Sequence, residues 1–230
     1  MNRILSIEKL DRYGRVTESS PGLMEPLSYE GSGRKTGRVR VTLENGESFT
    51  ISERRALRLG LKAGAGLTEE LHEEIFTDLR SSCMQRCGSL LGRRDYPERR
   101  LRTKLEDAGY PPVIIEECIA KLTAAHYLDD RRYVQNYVRS HLNDRSRRRI
   151  IRDLLGRGIA EDMIEEAFAA AGEETDPDEA QRRQIRCLLK KRGFDPDSAD
   201  YKEKQKTMAF LHRKGFEADL IRRAVEEPCE

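Results

Sequence analysis

Between residues 38 and 51 apolar and polar positions alternate. Val39, Val41 and Leu43 share one side, and the pattern resumes at Phe49 and Ile51 after an Asn45-Gly46 reversal. A period of two interrupted by Asn-Gly predicts a β-hairpin. ILSIEKL, residues 4–10, supplies a further strand, and the Gly-, Pro- and Ser-rich stretch SSPGLMEPLSYEGSGRKTG between them reads as a loop. SERRALRLGL predicts a short helix. TEELHEEIFTDL opens another, with Thr68 as its N-cap and Glu69 and Glu70 in the first turn, where the macrodipole favours acids.

Past residue 80 the period becomes helical, and the chain repeats itself. LEDAGYPPVIIEECI from Leu105, LLGRGIAEDMIEEAF from Leu154 and LHRKGFEADLIRRAV from Leu211 align without gaps. Each has a leucine four residues before a glycine (Gly109, Gly158, Gly215), a bulky apolar residue directly after it (Tyr110, Ile159, Phe216) and an isoleucine six after it (Ile115, Ile164, Ile221). Such a glycine suits a helix C′ position, where the backbone turns left-handed and the next residue folds back onto the helix just ended. One more apolar helix precedes each pair, carried by Cys87, Leu90 and Leu91, by Val134, Tyr137 and Val138, and by Ile185, Leu188 and Leu189. The glycines lie 49 and 57 residues apart, a period typical of stacked arrays. The predicted fold is mainly α: tandem three-helix repeats forming an elongated curved array, with a small N-terminal β-containing module. The expected division is a hairpin-containing module over 1–68, a connecting helix over 69–80, and repeats over 81–125, 126–172 and 173–230. The self-contained repeats further predict that residues 81–230 fold without the first 68.

Composition narrows this picture. With 37% hydrophobic and 37% charged residues, 6% aromatics and no tryptophan, thin helical layers fit better than one thick core. The net charge of only +2 makes any electrostatic function local. Cys83, Cys87, Cys118, Cys187 and Cys229 form neither an even set nor a CxxC pair, so neither a disulfide framework nor a metal site is expected. The opening MNRILSIEKLDRYG has no long apolar stretch, and no segment is long enough to span a bilayer, which predicts an unexported cytoplasmic protein.

Catalytic patterns fail inspection. The Lys-Thr of GSGRKTGR lacks the glycines of a phosphate loop, since Arg34 and Tyr29 stand at their places, and GLKAGAG reads as a turn. Histidines at 72, 126, 141 and 212 sit in no HExxH and beside no nucleophile, and Asp129 and Asp130 suit a helix start. The expectation is a binding protein, not an enzyme, without cofactor.

RSRRRIIRDLL, residues 145–155, is anomalous. Ile150, Ile151, Leu154 and Leu155 make it a helix, yet Arg145, Arg147, Arg148 and Arg149 crowd its electropositive start, with Arg152 following. Each cation there costs roughly 0.3 to 1 kcal/mol unless an anion offsets it. Three readings follow: the arginines pair internally (with Asp144, Asp153, or the run Glu161, Asp162, Glu165, Glu166), lie solvated, or meet the anion of a partner. Arg93, Arg94, Arg99, Arg100 and Arg102 bracket the corresponding helix start in the first repeat and are candidates on the same ground. Lys190, Lys191 and Arg192 lie near a helix C-terminus, where cations are locally favoured, and Arg131 and Arg132 follow two aspartates and read as structural.

LLGRRDYPERRLRTKLEDAGYPP, LTAAHYLDDRRYVQNYVRSHL, RRRIIRDLLGRGI and KQKTMAFLHRKGFEADLIRRAV resemble, in order, the signature stretches of RecX, the bacterial regulatory family of the RecA recombinase. The resemblance covers about residues 83–227, and YLDDRRYVQNYV is its most specific part. The N-terminal strands with GLKAGAGLTEELHEEI are similar to the extra region of Gram-positive RecX proteins. LNDRSRRR departs from the family pattern, in which a glycine often precedes the arginine run. The resemblance implies a monomeric modulator that binds the RecA nucleoprotein filament along its groove, mainly inhibiting it, with DNA inside the filament and weak direct DNA binding as further contacts. It implies a place in recombination, DNA repair and the SOS response. The rival reading is a direct single-stranded nucleic-acid binder, which would need aromatic platforms. Tyr96, Tyr110 and Tyr127 are available for that; Tyr133 and Tyr137 read as helix-packing residues.

Overall fold

A computed structural model describes residues 2–11, 14–20, 37–142, 145–174 and 177–226. The N-terminal sheet holds β1 (Asn2–Leu10), β2 (Val16–Ser20), β3 (Arg38–Leu43), β4 (Ser48–Ser52) and β5 (Gly66–Leu67). All pairings are antiparallel, in the order β2-β1-β3-β4, with β5 added beside the start of β1. The hairpin forms as predicted. Val41 lies opposite Phe49 and Val39 opposite Ile51, and this alternation buries Val39, Val41, Leu43, Phe49 and Ile51. β2 and β5 went unforeseen: VTESS has little apolar alternation, and two residues carry no period at all. The predicted loop therefore begins later than Ser19, and its residues 21–36 lie outside the described residues, as do Tyr29 and Arg34.

Helices α1 (Glu53–Arg58) and α2 (Glu69–Leu91) cover the sheet. Thr68 caps α2, its hydroxyl accepting from Leu71 N at 3.3 Å. The helix runs unbroken for 23 residues across the expected boundary at 80/81. Its first half buries Ile75, Phe76 and Leu79, with Phe76 meeting the Phe49 ring edge-on at 5.9 Å. Its second half buries Cys83 and Cys87 with α3 (Glu98–Glu106) and α4 (Pro112–Ala124) in the same apolar core, which extends from Ile4 to Leu128. Thr50 N donates to Gly109 O at 2.9 Å, and Ser82 and Tyr110 share a hydroxyl hydrogen bond. The sheet and the first three-helix unit thus have one core, so removing the first 68 residues takes away part of the packing on which the first repeat rests. Repetition in sequence marks local motifs; it does not reveal which other element covers the remaining face of a long helix.

The described chain forms two compact units, Met1–Leu128 and Asp129–Glu230. The second contains α5 (Asp130–His141), α6 (Arg147–Leu155) and α7 (Glu161–Glu174), then α8 (Pro177–Arg192), α9 (Tyr201–Arg213) and α10 (Ala218–Glu226). Val134, Val138, Ile150, Leu154, Ile164 and Phe168 fill one core; Ile185, Leu189, Leu211, Phe216, Ile221 and Val225 fill the next. Asp129 caps α5 by accepting from Arg132 N at 2.9 Å.

The three repeated glycines adopt φ of +83°, +86° and +89°. Beyond them Tyr110, Ile159 and Phe216 donate back to Leu105, Leu154 and Leu211 at 3.2, 3.2 and 3.3 Å, the six-to-one bond of a Schellman stop. Gly215 has a second reason to lack a side chain, because a Cβ there would stand 2.7 Å from Ser146 Oγ. Gly215→Ala is therefore expected to lose about 1 to 2 kcal/mol from left-handed strain alone, with more from the close approach to Ser146. Calorimetry should show a fall of several degrees in the transition of the second unit, and an unchanged Tm would contradict both reasons.

Candidate partner-binding surface

Ser146 stands at the N-cap of α6 with extended geometry, yet makes no capping hydrogen bond. Its hydroxyl donates instead to Lys214 O at 2.8 Å, tying the start of α6 to the end of α9. The first turn of α6 contains no acid. Its first N–H groups therefore have no side-chain cap and no acid within the turn itself, where Arg147, Arg148 and Arg149 stand together.

The arginines divide by environment. Arg147 is used internally: it pairs with Glu165 at 2.7 Å and lies 4.8 Å from the Phe168 ring centroid. Arg145 donates to Asp153 at 3.0 Å and to the Tyr137 hydroxyl at 2.6 Å. Of the acids considered as internal partners, Asp153 and Glu165 serve, Glu166 meets Arg131, and Asp144 lies outside the described residues. Arg148, Arg149 and Arg152 are exposed, and their side chains have no partner among the described residues. Arg148 and Arg152, four residues apart, lie on one outward stripe of α6.

In the first unit the anomaly is weaker than the sequence suggested. Pro97 precedes α3, and Glu98 supplies an acid in its first turn. Arg102 is held by Glu98 at 2.9 Å and by Glu116. These carboxylates raise the Arg102 pKa, the Glu116 hydrogen bond foremost. Arg94 sits over the Tyr96 ring at 4.7 Å. Arg93, Arg99 and Arg100 are exposed, with no side-chain partner among the described residues. Lys190, Lys191 and Arg192 form the last turn of α8, as expected, and Arg192 lies 4.9 Å over Phe210.

Two features escaped the sequence reading. One is a ladder on α5, where Tyr133 stacks near Tyr137 and the Tyr137 ring meets His141 at 4.4 Å. Arg157 lies 4.2 Å over Tyr137 and donates to its hydroxyl at 3.2 Å and to that of Tyr133. Burial raises the Tyr137 pKa, so the neutral phenol donates to Asp153 at 3.3 Å while accepting from both arginines. This network fixes Arg145 and with it the start of α6. The i, i+4, i+8 spacing of Tyr133, Tyr137 and His141 was its available signal.

The other is a cleft of about 400 Å³ between α6 and the α8–α9 pair. Arg145, Arg149, Arg183, Lys191 and Lys214 line it together with Ser146, Gln184, Cys187, Leu188 and Phe216, and among the described residues no carboxylate does. These cations are up to 69 residues apart in the chain, so no linear pattern announces them. Among the described residues no group of histidine, cysteine and carboxylate side chains could hold a metal, and no helix is long and apolar enough to cross a membrane.

Comparison with known proteins matches residues 83–122 to the first three-helix domain of RecX, 129–167 to the second and 185–225 to the third, together just over half of the chain. The chain belongs to the RecX family. A Regulatory protein RecX from Vibrio vulnificus is 31% identical over 153 residues, covering 66% of this chain and 96% of its own. One from Clostridium botulinum strain Alaska E43 is 27% identical over 198 residues, 84% of this chain and 91% of its own. Among solved structures, a regulatory protein RecX superposes with TM-score 0.56 at 20% identity over 99% of this chain and 100% of its own. RecX from Lactobacillus salivarius gives 0.55 at 21%, over 66% and 97%. At these identities the structures show a shared fold. The second RecX domain carries the tyrosine–arginine network and the start of α6, and the third supplies Lys191 and Lys214. Residues 1–82, including the whole sheet, precede the three matched domains.

Proposed function

We propose that this RecX chain is a regulatory binding protein that engages the RecA nucleoprotein filament and mainly inhibits it, acting in recombination, DNA repair and the SOS response. The observation that supports this reading most directly is the start of α6: exposed Arg148 and Arg149 beside uncapped N–H groups, with no acid in the turn. An anionic surface placed there meets both the guanidinium charges and the positive end of the helix, so binding recovers what the isolated helix lacks. Arg152 extends the contact along α6, and Arg93, Arg99 and Arg100 form a second contact on the first unit. Arg94, Arg102 and Arg147 act as positioning residues, since each is engaged within the protein. The protein works as a cytoplasmic monomer, without cofactor and without chemistry of its own. Its N-terminal module, 1–68, and the helix over 69–80 precede in sequence the repeats over 81–125, 126–172 and 173–230.

The decisive measurement is recombinase ATPase on single-stranded DNA with substoichiometric amounts of this protein. Hydrolysis is expected to fall well below the uninhibited rate, and the purified protein alone is expected to release no phosphate from ATP. An unchanged rate, together with tight and steeply salt-dependent binding to bare single strands, would favour a direct nucleic-acid binder instead.

A further inference from the structure

The cleft between α6 and the α8–α9 pair is a separate feature from the Arg148–Arg152 stripe. Its α8 wall presents Arg183, Cys187 and Lys191 at successive steps of four residues, a row roughly 12 Å long at 1.5 Å per residue. Opposite it stand Arg149 of α6 and Arg145 just ahead of that helix, and Lys214 sits at the junction where Gly215 closely approaches Ser146. Arg145 is held by Asp153, and Arg183 meets Glu179 at 3.4 Å; Arg149 and Lys191 have no partner among the described residues. Between the walls lie the half-buried Leu188 side chain and the exposed thiol of Cys187. Gln184 adds an independent sign. It is 7% exposed, its Nε2 donates to the carbonyls of Leu142 and Arg145, and its buried Oε1 has no partner among the described residues.

We infer that this cleft docks a short acidic peptide segment of the protein partner, one bearing at least two carboxylates beside an aliphatic side chain. Converging cations with no lining carboxylate among the described residues call for an anion, and arginine forks fit carboxylates in two-point contacts. Nucleic acid shares the charge but fits the rest less well. Among the described residues no exposed aromatic ring lines the cleft for a base to stack on, because Phe216 is only 3% exposed. Leu188 offers contact for an aliphatic side chain. The inference rests on the reading of this protein as a partner-binding regulator, and adds the chemistry of one partner segment.

Its test needs no recombinase. Fluorescence polarisation is measured with a rhodamine-labelled peptide, EDLEDLED, against the neutral control QNLQNLQN and against labelled octathymidylate. The acidic peptide is expected to bind saturably. Arg149→Glu with Lys191→Glu should weaken it at least tenfold, and Arg149→Gln with Lys191→Gln severalfold, while Arg148→Glu with Arg152→Glu leaves it within about twofold; thermal melts establish that each variant is folded. A second readout uses Cys187 in a Cys229→Ser background, since Cys83, Cys87 and Cys118 are buried. Peptide should slow its modification by Ellman's reagent, and the neutral control should not. Octathymidylate binding in place of peptide would overturn the inference in favour of a nucleic-acid site. Peptide binding that ignores the cleft variants or leaves Cys187 unprotected would overturn it as non-specific. Loss of recombinase inhibition with peptide binding intact would sink the proposed function and leave this inference standing.

Discussion

A protein lacking residues 1–68 is expected to lose the cooperative fold of its first helical unit, while residues 129–226 remain helical. The truncation removes Thr68, the cap of α2, which costs about 1 kcal/mol. It also uncovers Ile75, Phe76 and Leu79, which are buried in the core shared with the sheet. Exposing side chains of this size costs about 1.5 to 3 kcal/mol each, roughly 5 to 9 together. A typical domain has only about 5 to 15 kcal/mol in total, so the remaining helices α2–α4 fall to the edge of stability. Hydrogen exchange read by mass spectrometry should show α3 and α4 exchanging freely in the truncated protein, with α5–α7 and α8–α10 protected as in the full chain. Cooperative protection of α3 and α4 in the truncated protein would mean that their contacts with one another and with the second half of α2 suffice.

The local structure was largely legible in the chain. Asn45-Gly46 announced the hairpin, Thr68 and Asp129 announced helix starts, and Gly109, Gly158 and Gly215 announced helix stops, because each of these roles depends on one residue's own backbone or side-chain chemistry. Family membership followed from the same short stretches. What could not be read was which faces meet. The single core joining Ile4 to Leu122 depends on a two-faced helix, α2, whose apolar positions fit no single stripe. The cleft gathers Arg149, Lys191 and Lys214 from separate helices and a helix end. The fate of each arginine also turned on its neighbours. Sequence placed Arg147, Arg148 and Arg149 together as equals, yet Glu165 and Phe168 stand beside the first alone.

That division sharpens the mutation most able to test the proposed function. Replacing Arg148 and Arg152 together with glutamate is expected to abolish recombinase inhibition at concentrations where the parent protein is fully effective, without unfolding the second unit. The stability terms nearly cancel. At position 148, in the first turn of α6, an acid is favoured by the helix dipole by about 0.3 to 1 kcal/mol; at position 152, in the last turn, it is disfavoured by a similar amount. The like-charge repulsion across one helical turn, about 0.2 to 0.5 kcal/mol, has the same sign before and after. Neither side chain gives up a partner among the described residues, so Tm should move by no more than a few degrees. Binding has no such cancellation. Removing one member of a desolvated charge pair at an interface costs about 2 to 5 kcal/mol, and setting two acids against an anionic surface adds repulsion. Even the lower figure for both sites together, about 4 kcal/mol, is nearly a thousandfold in affinity. The check is thermal unfolding and recombinase ATPase on the same double variant, with Arg147→Glu as a contrast. That single change breaks the pair with Glu165 and the packing on Phe168, and should lower Tm before it alters inhibition. A double variant that inhibits normally would place the partner elsewhere, on the Arg93, Arg99 and Arg100 surface of the first unit or in the cleft, and a double variant that melts early would show that these two arginines stabilise the fold itself.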